Sequence, residues 1–97
     1  MEPRRITLDL RTVNTIAELH GLLQYAFRFP AYYGRNFDAL WDCLGDLEDE
    51  PMQIDLVGWL GACSRVGWRM NIFLQLLCDF RARREGRVKI NICREEA

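Results

Sequence analysis

The chain lacks any apolar run that approaches the roughly 20 residues needed to span a bilayer, although hydrophobic residues make up 49% of its 97 residues. It also lacks an apolar signal segment, since the N-terminus runs directly into an alternating pattern, and we expect a cytoplasmic protein with no membrane partner. Repeats, low-complexity stretches and linkers are missing as well. We therefore expect one domain over residues 1–97 with a core of its own.

Metal-binding patterns are scarce. Histidine occurs once, as His20, and none of the four cysteines belongs to a C-x-x-C pair. Such a set does not complete a plausible zinc site. Without a secretion signal the thiols are expected to be reduced and to act as small apolar residues, so we expect neither a metal nor a cofactor. The cysteines are Cys43, Cys63, Cys78 and Cys93.

Catalytic patterns are scarce too. The sequence has no Gly-rich phosphate loop, and no serine or cysteine lies in a nucleophile elbow. His20 has no neighbouring nucleophile in the sequence and is interpreted as a structural histidine. Asp38 and Asp42 are the acid–base pair that an enzyme would use, but the sequence as a whole predicts a binding protein rather than an enzyme.

Positive charge is absent from one long window. Residues 36–64 hold no lysine or arginine, whereas residues 81–94 hold six basic residues and one acidic residue. The net charge of −1 therefore conceals a local asymmetry, and the local field says more about partners than the overall charge does. The acidic residues of the window are Asp38, Asp42, Asp46, Glu48, Asp49, Glu50 and Asp55.

Hydrophobic periodicity predicts an α/β fold. Segments of alternating apolar residues are typical of strands, and segments with apolar residues at helical spacing are typical of helices. Helices between strands imply right-handed crossovers and a small three-stranded parallel sheet with helices packed against it. Residues 58–67 are ambiguous between a packed turn and a short helix. The strands are predicted over 4–10, 52–57 and 88–92, and the helices over 16–28, 37–44 and about 68–84.

The second predicted helix carries a row of like charges. Asp38, Asp42 and Asp46 share one face of the helical wheel, with Trp41 at the border of that face and Gly45 beside it. Carboxylates four residues apart repel each other by about 0.2–0.5 kcal/mol per pair on an exposed helix. The helix dipole favours an acid only in the first turn. Repulsion further along the helix therefore needs another explanation.

Two interpretations of this row remain open. It is either an ordinary solvated face or a surface shaped for a positively charged site on a partner. In the second case the carboxylates take the places of phosphate oxygens in an active site whose cations hold RNA. Trp41 is similarly open, because a tryptophan at this border position serves equally well as a core residue or as an interface anchor.

Residues 30–44, PAYYGRNFDALWDCL, resemble the signature of the barstar family of ribonuclease inhibitors. The pattern Y-Y-G-x-N-x-D-A-L-W-D-C-L is long and compositionally unusual, and the remaining elements follow in the expected order. The resemblance implies a barstar-like fold with a three-stranded parallel sheet. It also implies a one-to-one complex in which the loop and helix matched by residues 32–45 block the active site of a guanyl-specific bacterial ribonuclease.

The resemblance also implies roles for individual residues. Asp42 is expected to be the central acid among the phosphate-binding groups of the nuclease, with Asp38 beside it. Glu48 lies where the family often adds an acid. A further acid can come from the third predicted helix, where one alignment offers Asp79 and another offers Arg81. The residues expected to shape the contact are Tyr32, Tyr33, Gly34, Asn36, Trp41 and Gly45.

Two rival functions remain besides an enzyme. The basic segment over 81–94 could bind RNA, although the acidic row would repel it, and we expect no nucleic-acid partner. The more serious alternative keeps the fold and changes the partner. The chain would then be an immunity or regulatory protein that acts on a different toxin or on a partner that is not a nuclease.

Overall fold

The computed structural model describes residues 3–93, which form an α/β fold around one parallel sheet. The sheet has three strands in the order β1-β2-β3, and both neighbouring pairs are parallel. The predicted fold class is therefore confirmed. The strands are β1 (Arg4–Asp9), β2 (Met52–Val57) and β3 (Val88–Ile92).

Four helices connect the strands. The ambiguous segment over 58–67 forms a short helix, which adds one helix to the predicted order. The other helix boundaries lie within one residue of the predicted ones. The first of these helices ends because Arg28 adopts the left-handed conformation, with φ of 58°. The helices are α1 (Ile16–Phe27), α2 (Phe37–Gly45), α3 (Trp59–Val66) and α4 (Arg69–Arg83).

The two faces of the sheet differ in polarity. Ile6, Ile54 and Ile90 are aligned across the three strands and belong to the apolar core or pack against it. Arg5 and Lys89, in the adjacent row, are exposed on the opposite face. Parallel sheets are usually covered on both faces, whereas here one face is open to water and polar.

Asp55 is the one acid of β2, and it is buried on the open face of the sheet. Its Oδ2 atom lies 3.1 Å from Nε of Arg5. Its Oδ1 atom accepts hydrogen bonds from the side-chain amides of Gln53, at 2.8 Å, and Asn91, at 3.4 Å. The charge of this carboxylate is therefore compensated by groups from all three strands, as a buried charge requires.

Helix α4 carries two apolar stripes rather than one. Phe73 and Leu77 are fully buried against the core. Trp68 and Ile72, which contributed to the predicted helical periodicity, are exposed at 67% and 40%. Trp68 precedes the helix as its N-cap residue. The second stripe therefore faces outward, toward the side of the molecule that carries α2.

Arg84 fixes the C-terminal end of α2. Its guanidinium donates hydrogen bonds to the backbone carbonyls of Leu44, Leu47 and Glu48 at 3.0–3.2 Å. It also lies 3.7 Å from a carboxylate oxygen of Asp49, and its side chain is only 11% exposed. Terminal carbonyls of a helix need such donors, and a cation there also interacts favourably with the helix dipole. The side chain therefore ties α2 to the end of α4.

Replacing Arg84 should destabilise the fold more than a typical surface change. We expect Arg84→Gln to lower the free energy of unfolding by about 2 kcal/mol, because it removes hydrogen bonds from a charged donor to several backbone carbonyls, two of them partly buried. Urea unfolding measures this effect. Arg81→Gln is the matched control on the same helix, where the side chain is exposed. Equal unfolding midpoints for the two variants would contradict the role assigned to Arg84.

Candidate functional site

The loop that precedes α2 is held against α1 by buried and bridging side chains. The hydroxyl of Tyr33 shares a 2.6 Å hydrogen bond with Nδ1 of His20, and both side chains are buried. Gln24 donates from Nε2 to the carbonyl of Pro30 and accepts from Arg35 at Oε1, both at 3.1 Å. These contacts fix the loop from beneath and leave its outer surface free.

Two residues of this loop are constrained: Arg35 in its backbone conformation and Gly34 by its close neighbours. Arg35 adopts the left-handed conformation with φ of 53°, which side-chain-bearing residues rarely adopt and which costs free energy. A Cβ atom on Gly34 would lie 3.3 Å from Cβ of Ala39 and 3.3 Å from the amide nitrogen of Asn36. Glycine therefore lets the loop pass close to the first turn of α2.

Asn36 begins α2 as predicted. Its Oδ1 atom accepts a 2.7 Å hydrogen bond from the backbone N–H of Ala39, while its own backbone is extended. Its Nδ2 atom donates to the carbonyl of Gly34 at 3.3 Å. The residue therefore both caps the helix and fixes the end of the loop, a combination that favours one orientation of α2.

The acidic row on α2 has no internal counter-ion within residues 3–93. Asp38, Asp42 and Asp46 are all exposed, and the ion pairs in this part of the chain involve other acids. Arg35, the nearest cation in sequence, donates to Gln24 instead. Burial, followed by the carboxylates of Asp46 and Asp42, raises the pKa of the Cys43 thiol. The negative field of the row therefore acts on neighbouring groups.

A groove of about 810 Å³ lies between α2 and α4. The outward stripe of α4 supplies Ile72 and Leu76 to its apolar surface. Asp79 lines it from the same helix and accepts a 3.0 Å hydrogen bond from Gln75. The groove thus combines an apolar surface with three carboxylates. The residues that line it are Phe37, Asp38, Trp41, Asp42, Asn71, Ile72, Gln75, Leu76 and Asp79.

Trp41 divides this groove from a second one of about 440 Å³. Its ring is half-buried and packs against the core. The guanidinium carbon of Arg83 lies 5.3 Å from the centre of the ring, within cation–π distance. Trp41 is therefore both a core contact and a surface residue, and its role as an interface anchor stays a prediction. The second groove is lined by Trp41, Gly45, Leu47, Asp49, Phe80, Arg83 and Arg84.

The remaining residues predicted for the site fall into different places. Tyr32 is 83% exposed, whereas Tyr33 is buried and supports the loop through His20. Gly45 is the last residue of α2, and there is open space where a Cβ atom would lie. Glu48 is exposed in the loop after α2, outside the lining of both grooves. Their roles toward a partner stay predictions.

The two candidate residues on α4 lie in different places in the free protein, and which of them faces a partner stays a prediction. Asp79 lines the groove beside α2, whereas Arg81 lines a separate cavity together with Lys89 of β3. Sequence reasoning missed Ile72 and Leu76 as site residues because it assigned them to the core stripe. The sequence did contain a signal for them. Ile72 and Leu76 are four residues apart, and each precedes a core residue, Phe73 or Leu77, by one position, so the two form a second apolar stripe beside the core stripe.

Within residues 3–93, no group of three or more His, Cys, Asp or Glu side chains is arranged to hold a metal ion. In the same part of the chain, no helix combines the length and the apolar character that crossing a bilayer requires. The chemistry available at the site is therefore that of exposed carboxylates around an aromatic ring. Such a surface can bind cations of a partner through charge-assisted hydrogen bonds.

Comparisons with known proteins agree with the geometry. A family model described as "Barstar (barnase inhibitor)" matches residues 4–90. The chain is 47% identical over 53 residues to the Bacillus subtilis (strain 168) protein named "Putative ribonuclease inhibitor YrdF". That alignment covers 55% of this chain and 58% of the relative. The chain thus spans somewhat more than half the length of this curated relative.

The buried His20 should make stability depend on pH. Burial, and to a lesser extent the charge of Arg35, lowers the pKa of His20 below its ordinary value of 6.5. Between the lowered pKa and the ordinary one, the unfolded chain binds a proton that the folded chain does not. The free energy of unfolding should therefore fall as the pH drops below about 6.5.

Urea unfolding between about pH 7.5 and about pH 5.5 measures this dependence. His20→Gln should remove most of the dependence in that window. If the variant folds poorly, the pH titration of the His20 ring signals by NMR in the unchanged protein gives the same information. An unfolding midpoint that stays constant, or a ring that titrates above its ordinary pKa, would contradict the expectation.

Proposed function

Since the chain belongs to the barstar family, we propose that it is an intracellular protein that binds and blocks the active site of a barnase-like, guanyl-specific bacterial ribonuclease. It acts without catalysis of its own, in the cytoplasm, as an immunity protein for the cell that makes the nuclease. The complex has one copy of each protein and involves neither RNA nor a membrane. The acidic helix α2 and the loop before it form the contact surface.

The observation that carries this proposal is that the acidic row beside the half-buried Trp41 has no counter-ion among the residues that the structure describes. An active site that cleaves RNA has to hold phosphates, and the cations that do so also bind carboxylates. Asp38, Asp42 and Asp79 line a groove whose surface also includes the apolar side chains of Phe37, Ile72 and Leu76. Like-charge repulsion in the free protein is then relieved in the complex, because each carboxylate gains a cation.

The rigidity of the surface supports the same function. Asn36 caps one end of α2 and Arg84 ties down the other. His20 and Gln24 hold the preceding loop. A surface that is already ordered loses little conformational entropy when it binds, and more of the interaction energy then appears as affinity.

Titration into barnase tests the proposal directly. We expect RNA cleavage to fall linearly with added protein and to stop at an equimolar ratio. The protein alone should not cleave RNA, and a pancreatic-type ribonuclease serves as a control for non-specific effects. Full barnase activity in the presence of about a tenfold molar excess would contradict the proposal. It would favour the alternative in which the same surface acts on a different toxin or on a regulatory partner.

Asp42→Ala separates binding from folding. The side chain is exposed and repelled by its neighbours, so its removal should leave the free energy of unfolding unchanged or raise it by up to about 0.5 kcal/mol. If Asp42 is the central acid of the contact, affinity for barnase should fall by at least about 30-fold, the loss of a hot-spot residue.

Asp46→Ala is the matched control for that change. It removes the same charge from the same row, but Asp46 does not line the groove between α2 and α4. We expect a much smaller loss of affinity than for Asp42→Ala. Thermal melts of both variants measure the effect on stability, and calorimetric titrations with barnase measure the effect on affinity. A large fall in the melting temperature of Asp42→Ala, or equal losses of affinity for both variants, would contradict the assigned role.

A further inference from the structure

The surface around Trp41 is divided into an acidic half and a basic half. On one side of the ring lies the groove with Asp38, Asp42 and Asp79. On the other side lies the groove with Arg83 and Arg84. A partner that covers the ring of Trp41 therefore meets both signs of charge within one contact area.

The two arginines of the basic half differ in how they are paired. Arg84 is nearly buried and donates to backbone carbonyls at the end of α2. Asp49, the one acid that lines this groove, lies within 3.4–3.7 Å of Arg84 and Arg87. Arg83 is exposed, and within residues 3–93 its guanidinium has no acid beside it, only the ring of Trp41. The uncompensated cation of the groove is thus Arg83.

An uncompensated cation restricts what can dock over Trp41. A partner that covers the ring must also remove water from the guanidinium of Arg83, because that guanidinium lies over the ring. An aromatic face attracts a cation but accepts few of the hydrogen bonds that a guanidinium offers. Burying the cation without an acceptor is strongly unfavourable, whereas a carboxylate can accept two parallel hydrogen bonds from it.

Resting on the proposed function, we infer that Arg83 is a specificity-determining residue that pairs with a carboxylate of the ribonuclease bordering its cationic active site. The nuclease surface that fits this chain is therefore itself divided, with cations opposite α2 and an acid opposite the end of α4. A nuclease with a uniformly basic rim around its active site is disfavoured, because Arg83 would face another cation. Discrimination of this kind combines an attractive contact with a repulsive one.

Three substitutions at Arg83 test the inference against barnase. Arg83→Lys keeps the charge, Arg83→Gln removes it and Arg83→Glu reverses it. Lys89→Glu is the control for general charge effects, because it makes the same reversal on the open face of the sheet. We expect affinity to decrease in the order Lys, Gln, Glu, with a loss of at least about tenfold for Gln and more for Glu. Melting temperatures should stay close to that of the unchanged protein.

The outcomes distinguish this inference from the proposed function. If the unchanged protein inhibits barnase and Arg83→Gln binds within about twofold of it, the inference is overturned and the proposed function stands. Equal losses for the Lys and Gln variants would show that Arg83 only covers Trp41, which also overturns the inference. If the unchanged protein does not inhibit barnase, both fail. A double-mutant cycle with carboxylate-to-amide variants of barnase that shows coupling to Arg83 identifies the paired acid and supports the inference.

Discussion

Repulsion among the carboxylates of α2 is the constraint on which the surface of this protein depends. Asp38, Asp42 and Asp46 follow one another at the spacing of a helical turn, and within residues 3–93 no cation pairs with them. Each neighbouring pair costs about 0.2–0.5 kcal/mol. The fold tolerates that cost because Leu40 and Leu44 on the apolar side of the same helix are fully buried and both ends of the helix are held. The stability of the core thus supports a surface that is unfavourable in isolation.

The means of holding α2 come from different parts of the chain. The loop before the helix is fixed by His20 and Gln24 of α1, and the end of the helix is fixed by Arg84, about 40 residues further along. Contacts over such sequence separations require the complete fold. Local unfolding at either end would therefore be expected to loosen the acidic row as well. Membership of the barstar family and an α2 surface that is held at both ends both favour a binding function.

Local patterns in the sequence were sufficient for the fold and for the placement of the acidic row on α2. Alternation over 52–57 and 88–92 specifies strands, and Asn36 followed by an apolar stripe specifies the start of α2. The residues that depend on tertiary packing were not predictable in the same way. The burial of Tyr33 against His20, for example, is set by residues 13 positions apart in the chain. Ile72 and Leu76, on the groove side of α4, fit the same helical periodicity as the core residues. That periodicity places apolar residues on a face of the helix, but it does not show which neighbouring element covers that face.

The open face of the sheet has a consequence for how the strands can align. Side chains alternate between the two faces, so shifting one strand by a single residue would send Gln53 and Asp55 into the hydrocarbon interior and turn Ile54 toward water. A sheet covered by helices on both faces would be apolar on both sides, and a shift of one residue would then exchange apolar side chains only for other apolar side chains. Here the contrast disfavours misaligned pairings, and both the ion pair between Arg5 and Asp55 and the hydrogen bond that Asn91 donates to Asp55 belong to the native alignment. The uncovered polar face thereby helps to specify the register of the three strands.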